Sequence, residues 1–249
     1  YRLQACATLS LPGPSQPVLE QRGSDVILKF QIYLLKRSEK RSGVYPATVF
    51  FGLQMFIKQY LCKPICLADI DEAEEICRAH GVPFNRAGWL HILTAHKGFL
   101  PLHIEAVEEG AVVPTGNVLV QVVNTDPSCA WLTSYIETAL LRAIWYPTTV
   151  ATVSKNCRII IQRYLAETAD NLDGLPFKLH DFGARGASSE ETTAIGALAH
   201  LVNFKGTDSF SGLLAARRYY AEPMAGFSIP AAEHSTITSW GRDGEAAAY

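Results

Sequence analysis

Lys178-Leu-His-Asp-Phe-Gly-Ala-Arg-Gly-Ala-Ser-Ser189 is the stretch from which the fold can be read. It packs an acid, an aromatic ring and an arginine between glycines, directly after a short apolar segment. Two more polar clusters follow, Lys205-Gly-Thr-Asp208 and Ala231-Ala-Glu-His-Ser235, and each leads into a helix-like segment. Asp208 lies 27 residues beyond Asp181, and His234 lies 26 beyond Asp208. That is close to the repeat of about 30 residues for one strand–helix unit of an eightfold (β/α) barrel. A doubly wound sheet produces the same spacing. In either architecture the loops after the strands' C-terminal ends carry the chemistry. Arg185, Asp208 and His234 are therefore expected to face one pocket. Two or three such units cannot close a barrel, so a barrel begun here is expected to be unfinished at Tyr249.

Upstream, the periodicity changes twice. Val49, Phe50, Leu53, Phe56, Ile57, Tyr60 and Leu61 recur at helical spacing and predict an amphipathic helix from Thr48. A second helix is expected over Asp69–His80, with Ile70, Ala73, Ile76 and Cys77 inward and Gly81-Val-Pro83 ending it. Asn85 is placed to cap a third helix running through Trp89 and Leu93. Leu102, Ile104 and Ala106 then alternate with His103 and Glu105, the two-residue period of a half-buried strand. Val118–Val123 reads as another strand, with turns at Glu109-Gly110 and Pro114–Asn117 and a close at Asn124-Thr-Asp-Pro127. Two long helices are predicted after it, Trp131–Trp145 and about Thr149–Thr168, whose apolar content suggests burial on more than one side. Ser188–Glu191 has the form of a capping box opening a later helix.

The composition bounds the function classes. The chain has 249 residues, a net charge of −2 and scattered basic residues, so the electrostatic footprint of a nucleic-acid binder is missing. No run approaches the roughly 20 apolar residues of a membrane span. The apolar patch Ala5–Leu11 has no basic flank, and the first residue is Tyr, so the start of the protein is expected to lie elsewhere. Six cysteines, at 6, 62, 66, 77, 129 and 157, are expected to be buried free thiols. Cys62 and Cys66 lack the second pair or nearby histidine that would complete a zinc site, and no metal ligand is assigned. With no leader, this points to a reducing cytoplasm.

Longer segments make the family legible. The stretches 178–189, His200–Asp208 and Ser228–Thr238, with Thr48–Gln54, Asn124–Pro127 and Trp145–Thr152, closely resemble the nicotinamide phosphoribosyltransferases. The resemblance runs from about Glu39 to Tyr249. It implies an α/β protein in which a β-rich N-terminal domain packs on an irregular (β/α) barrel, working as a homodimer. It also implies transfer of the phosphoribosyl group of phosphoribosyl pyrophosphate to nicotinamide, giving nicotinamide mononucleotide and pyrophosphate in NAD salvage. Substrate-bound Mg2+ and ATP, coupled through a phosphorylated histidine, belong to that chemistry.

Residue by residue, the resemblance implies that Phe182 stacks on nicotinamide. An aromatic face suits a pyridine ring that becomes cationic, although a core Phe beside a tight turn is the structural alternative. Arg185 matches a pyrophosphate-binding arginine, whose planar fork fits phosphate oxygens. Asp208 matches the acceptor of the nicotinamide carboxamide. It disfavours nicotinate, whose carboxylate would meet a like charge worth about 4 kcal/mol at 4 Å and an effective dielectric near 20. Capping a helix from Ser209 is its structural alternative. His234 matches the phosphorylatable histidine, which also touches pyrophosphate. Arg41, in Glu39-Lys-Arg-Ser-Gly43, is a candidate phosphate ligand or a solvated turn residue.

The expected organisation is an unmatched segment 1–38, an N-terminal domain 39–175 and the start of a barrel domain 176–249. Residues 1–38 depart from the family, so none of Tyr1, Tyr33 or Tyr45 takes the role of the partner tyrosine that sandwiches the base. The match also ends near the middle of the family sequence, before the acidic ribose-binding residues and the loop for the 5′-phosphate. A truncated product with little activity of its own is therefore expected. Nicotinate phosphoribosyltransferase is one alternative, and a non-catalytic fragment that binds ligand weakly or only dimerises is another. Nucleic acid and membranes are not expected partners.

Overall fold

The computed structural model describes residues 33–37, as backbone, and residues 45–248. The turn-rich opening Leu11–Pro17, the patch at Ala5–Leu11, Cys6 and the Glu39–Gly43 stretch with Arg41 lie outside the described residues.

Strand β1, Tyr33–Arg37, pairs antiparallel with β5, Val118–Asn124, and β5 pairs on its other edge with β3, Leu102–Ala106. In β3 partial burial alternates with exposure, as its sequence predicts, because the sheet presents one face to the core. That face joins Phe50, Leu53, Leu119, Val120 and Val122 to Leu140 and Ile144 of a long helix.

This helix, α4, is the main correction to the sequence reading. It runs unbroken over Leu132–Thr168 with Pro147 inside it, where two helices were expected. Pro147 cannot donate to the carbonyl of Ala143, so an interruption was a reasonable expectation. Tertiary contact overrides it. A Cβ on Gly52 would lie 2.3 Å from Pro147 Cγ and 2.6 Å from the Ala143 carbonyl oxygen, so the chain crosses the helix there almost backbone to ring. On one side of this crossing, two hydroxyls lock the segments together. Thr148 Oγ1 accepts from the Phe51 N–H at 3.2 Å and Thr152 Oγ1 from the Val49 N–H at 2.9 Å. The opposite edge is satisfied by Phe50 N–H to the Ala111 carbonyl and Gly110 N–H to the Phe50 carbonyl.

The segment that crosses α4 was expected to be helical from Thr48. Instead Ala47–Val49 forms β2, paired antiparallel with β4, Val112–Pro114, a strand the sequence reading did not mark. The helix α1 begins only at Leu53 and ends at Phe56, passing into a wider π turn over Ile57–Leu61. Gly52, at φ 107°, makes the switch, a backbone conformation that costs other residues strain.

Helix α2 spans Leu67–His80 and stops at Gly81 in the left-handed conformation. Its inward stripe is Ile70, Ala73, Glu74 and Cys77, whereas Ile76 is 60% exposed. The helical period is right and its assumed phase is wrong by a fraction of a turn. Helix α3, Arg86–Ala95, is capped as expected by Asn85, whose side chain accepts from the Gly88 N–H at 3.0 Å.

The C-terminal part repeats a strand–helix pattern. β6, His180–Asp181, leads to α5, Glu190–Leu201; β7, Gly206–Thr207, leads to α6, Phe210–Tyr219. β6 and β7 are parallel, and Phe227 extends the sheet by a parallel bridge to Gly206. Two short helices follow, α7 at His234–Ser239 and α8 at Gly241–Ala248. α5 starts one residue later than its expected capping box: Ser189 accepts from the Thr192 N–H at 3.1 Å. Glu191 is left free to accept from the Tyr60 hydroxyl at 2.6 Å. α5 and α6 pack on α4 and on the segment crossing it, through Val49, Phe51, Ala151, Ala194, Leu198 and Ala215.

Of the described cysteines all are unpaired, but only Cys129 is buried; Cys66 is exposed and the others are intermediate. No helix among the described residues is long and apolar enough to cross a membrane.

Candidate active site

The site is built at the C-terminal ends of β6 and β7, where three adjacent parallel segments release their chains. Asp181 braces this end. Its Oδ1 accepts from the Gly183 N–H at 2.8 Å, its Oδ2 from the Thr207 hydroxyl at 2.9 Å, and its carbonyl from the Asp208 N–H at 3.0 Å. Burial alone would raise the Asp181 carboxyl. The Gly183 N–H, the hydroxyls of Ser209 and Thr207 and the nearby His200 outweigh it, and the acid lies below its usual range. A charged, multiply hydrogen-bonded carboxylate of this kind orients two loops at once.

The first loop carries Phe182, which is 56% exposed. The core alternative for this ring is thereby overturned. Its centroid lies 4.4 Å from that of His180 at an interplanar angle of 40°. His180 is buried, and Gly206 makes room for it, since a Cβ there would meet His180 Nδ1 at 2.6 Å. A cavity of about 350 Å3 opens beside these rings, bordered also by Tyr146, Thr193 and Ser209. A larger apolar cavity of about 620 Å3 lies between α1, α3, α4 and α5, and none of the expected site residues borders it.

The second loop carries Asp208. Its Oδ1 accepts from the Ser228 hydroxyl at 2.5 Å, and its Oδ2 lies 3.5 Å from His180 Nε2, too poorly aligned for a hydrogen bond. Asp208 does not cap α6. Ser209 occupies that position, so the capping alternative falls away and the carboxylate is held for another purpose.

Phe182 and Asp208 thus both approach the His180 ring. Arg185 sits in the exposed turn Gly183–Gly186 and makes no ion pair among the described residues. His234 is exposed at the first position of α7, beside Glu233, and makes no side-chain hydrogen bond to Asp208, Phe182 or Arg185. His180 and Ser228, which hold the acid and the aromatic ring, were not singled out by sequence reasoning. Both stand within quoted motifs, but only their shared approach to Asp208 distinguishes them. Among the described residues, no group of three or more metal-ligating side chains gathers at this end of the strands. Asp181 has both carboxylate oxygens engaged by protein donors and Asp208 has one, so the pair fits a divalent ion that arrives on substrate phosphates better than one held by a protein cage.

Residues 177–249 match the profile of the nicotinate phosphoribosyltransferase (NAPRTase) family. A crystal structure of human nicotinic acid phosphoribosyltransferase superposes with a TM-score of 0.56 at 18% identity, covering 83% of this chain and 36% of that one. Residues 25–104 match a second profile, the N-terminal domain of nicotinamide phosphoribosyltransferase. The nicotinamide phosphoribosyltransferase of Xanthomonas campestris pv. campestris is 56% identical over 212 residues, which are 85% of this chain and 45% of that protein. That of Acinetobacter baylyi is 31% identical over 79% of this chain and 41% of its own length. The chain belongs to the nicotinamide phosphoribosyltransferase family and corresponds to its N-terminal part. It spans less than half the length of these two relatives.

Proposed function

We propose that this chain serves the transfer of a phosphoribosyl group from phosphoribosyl pyrophosphate to nicotinamide. The observation that carries the reading is the exposed Phe182 face beside a carboxylate, Asp208, held in place by Ser228. A pyridine ring stacked on Phe182 could direct its carboxamide NH2 to Asp208, and a carboxylate in its place would be repelled. The neutral ring nitrogen already has a lone pair, so no general base is required. A bond forms from that nitrogen to C1 of the ribose while the C1–oxygen bond breaks, and its electron pair leaves with pyrophosphate. An aromatic face favours the cationic pyridinium that results. Positioning and stabilisation of the departing charge then do the catalytic work.

Arg185 and His234 are the proposed pyrophosphate contacts, supported by the matching motifs and by their exposure, Arg185 in the turn after β6 and His234 at the start of α7. Mg2+ bound to the substrate would neutralise phosphate charge. ATP would phosphorylate His234, transferring its γ-phosphoryl to a ring nitrogen. In this reading β6, β7 and the Phe227 segment are the first strands of an irregular barrel. Residues 39–175 and 176–249 are its two domains by chain order, although the core around Ala151 draws side chains from both. The working form is a homodimer in the cytoplasm.

Transfer assays of the active enzyme with nicotinamide and nicotinate test the assignment. The like-charge penalty of about 4 kcal/mol is reduced because the Asp208 side chain is 37% exposed. Asp208→Asn should therefore raise the nicotinate-to-nicotinamide ratio of kcat/KM by at least about tenfold, or 1.4 kcal/mol. An unchanged ratio would remove Asp208 from the base-binding role.

A further inference from the structure

Away from the strand ends, four side chains of metal-ligand type converge where α3 meets the turn between β5 and α4. His91 lies in the C-terminal half of α3 and His96 is its C-terminal cap residue. Asp126 and Cys129 stand around the short 3-10 turn Pro127–Cys129. One ligand atom from each of the four lies within 4.8 Å of the others. We infer that His91, His96, Asp126 and Cys129 form a zinc site that staples the end of α3 to the start of α4.

Two histidines converge on one carboxylate oxygen, each at hydrogen-bond distance. The Nε2 atoms of both histidines lie 2.7 Å from one oxygen, Asp126 Oδ2. The other oxygen, Oδ1, is held by the Ser128 N–H at 2.8 Å, which leaves Oδ2 as a single, oriented donor. The imidazole planes stand at 76° with centroids 5.6 Å apart, so the two rings approach that oxygen from different directions. The Cys129 sulfur is fully buried, packed with Ile92 and Leu132, and makes no hydrogen bond among the described residues. Two histidines, the carboxylate and an idle thiol make a mixed nitrogen, oxygen and sulfur donor set.

That donor set selects the ion. Two imidazoles, one carboxylate and one thiolate suit zinc, whereas magnesium and calcium prefer oxygen alone. Tetrahedral zinc, with metal–ligand bonds of about 2.0–2.3 Å, holds its ligand atoms roughly 3.3–3.8 Å apart. The site is compatible once each imidazole withdraws by well under about 1 Å and the sulfur turns inward. The two rings have that freedom, being 39% and 29% exposed, and they also give the ion a path from solvent. Four protein ligands close the coordination sphere, which is the pattern of structural rather than catalytic zinc. The sequence reading had weighed only Cys62 with Cys66; the ligands at 91 and 96 meet those at 126 and 129 only after the sheet between them has formed.

Cobalt(II) substitution tests the site. The full chain, stripped with chelator, is titrated with Co2+ and then Zn2+ while absorption and unfolding temperature are followed. One equivalent of Co2+ should give the intense visible bands of four-coordinate cobalt and a near-ultraviolet thiolate charge-transfer band, both bleached by Zn2+. Cys129→Ser should lose the charge-transfer band. His91→Gln/His96→Gln, which alters surface-accessible rings and should fold, should weaken zinc binding by more than the roughly 100-fold associated with loss of an outer-sphere partner. It should also abolish the zinc-dependent rise in unfolding temperature. Absence of a stoichiometric four-coordinate spectrum would overturn the proposal. So would a thiolate band that survives Cys129→Ser, or zinc affinity unaltered in the double histidine variant, since the metal would then sit on other cysteines.

Discussion

Replacing Gly52 with alanine tests the crossing of β2 over α4, on which the rest of the fold is hung. Gly52 sits at φ 107°, and its missing Cβ would fall 2.3 Å from Pro147 Cγ and 2.6 Å from the Ala143 carbonyl oxygen. Neither obstacle is the end of a flexible side chain, so the backbone must move. The left-handed strain costs about 1–3 kcal/mol. Overpacking against the helix adds about 1–3 kcal/mol, and the stiffer unfolded chain returns about 0.4–1 kcal/mol. A net loss of about 1–5.6 kcal/mol follows from these three terms. For a chain of this size it lowers the melting temperature by roughly 2–22 °C. Gly81 provides the control, because it is also left-handed, at φ 87°, but nothing lies within 4 Å of its would-be Cβ. Gly81→Ala should cost only about 1 kcal/mol, the strain less the unfolded-state gain. Urea unfolding of both variants separates strain from steric conflict. If Gly52→Ala came within about 0.5 kcal/mol of Gly81→Ala, the close passage over Pro147 would not be part of the folded state.

The remaining predictions concern the site. Incubating the active enzyme with ATP should label it in an acid-labile way, and His234→Ala should abolish the label; label that persists in the variant would move phosphorylation to another residue. The buried Thr207 hydroxyl donates to Asp181 and accepts from the Ser209 N–H at 3.0 Å, so Thr207→Val should cost about 1–3 kcal/mol at pH 7. Asp181 is depressed in the folded state, so its contribution is present above the unfolded value near 3.9 and is lost as pH falls through and below it. The penalty of Thr207→Val, read from denaturation at pH 7 and near pH 3, should therefore shrink in acid; a penalty independent of pH would mean that Thr207 does not hold the charged form.

The chain order of its elements was legible in the sequence wherever one physical rule acted alone. Alternation marked β3, Asn85 marked the start of α3, and Gly81 the end of α2, because burial on one face, an orphan N–H and a left-handed turn are local requirements. The repeat linking Asp181, Asp208 and His234 revealed the strand–helix units for the same reason: loops at strand ends recur at the length of the unit. Sequence motifs also nominated Phe182 and Asp208. Tertiary contact decided the rest. Pro147 reads as a helix break until Gly52 and the Thr148 and Thr152 hydroxyls clamp it within a continuous α4. Thr48–Gly52 has apolar residues that suit a helix, yet β4 and α4 satisfy its N–H and carbonyl groups as a strand and its extension. His180 and Ser228 converge on Asp208, and His91 on Asp126, across separations that no local pattern encodes. Such pairings depend on where the whole chain places a side chain, since a hydrogen bond or a metal–ligand bond is sensitive to tenths of an ångström and spacing along the sequence is not.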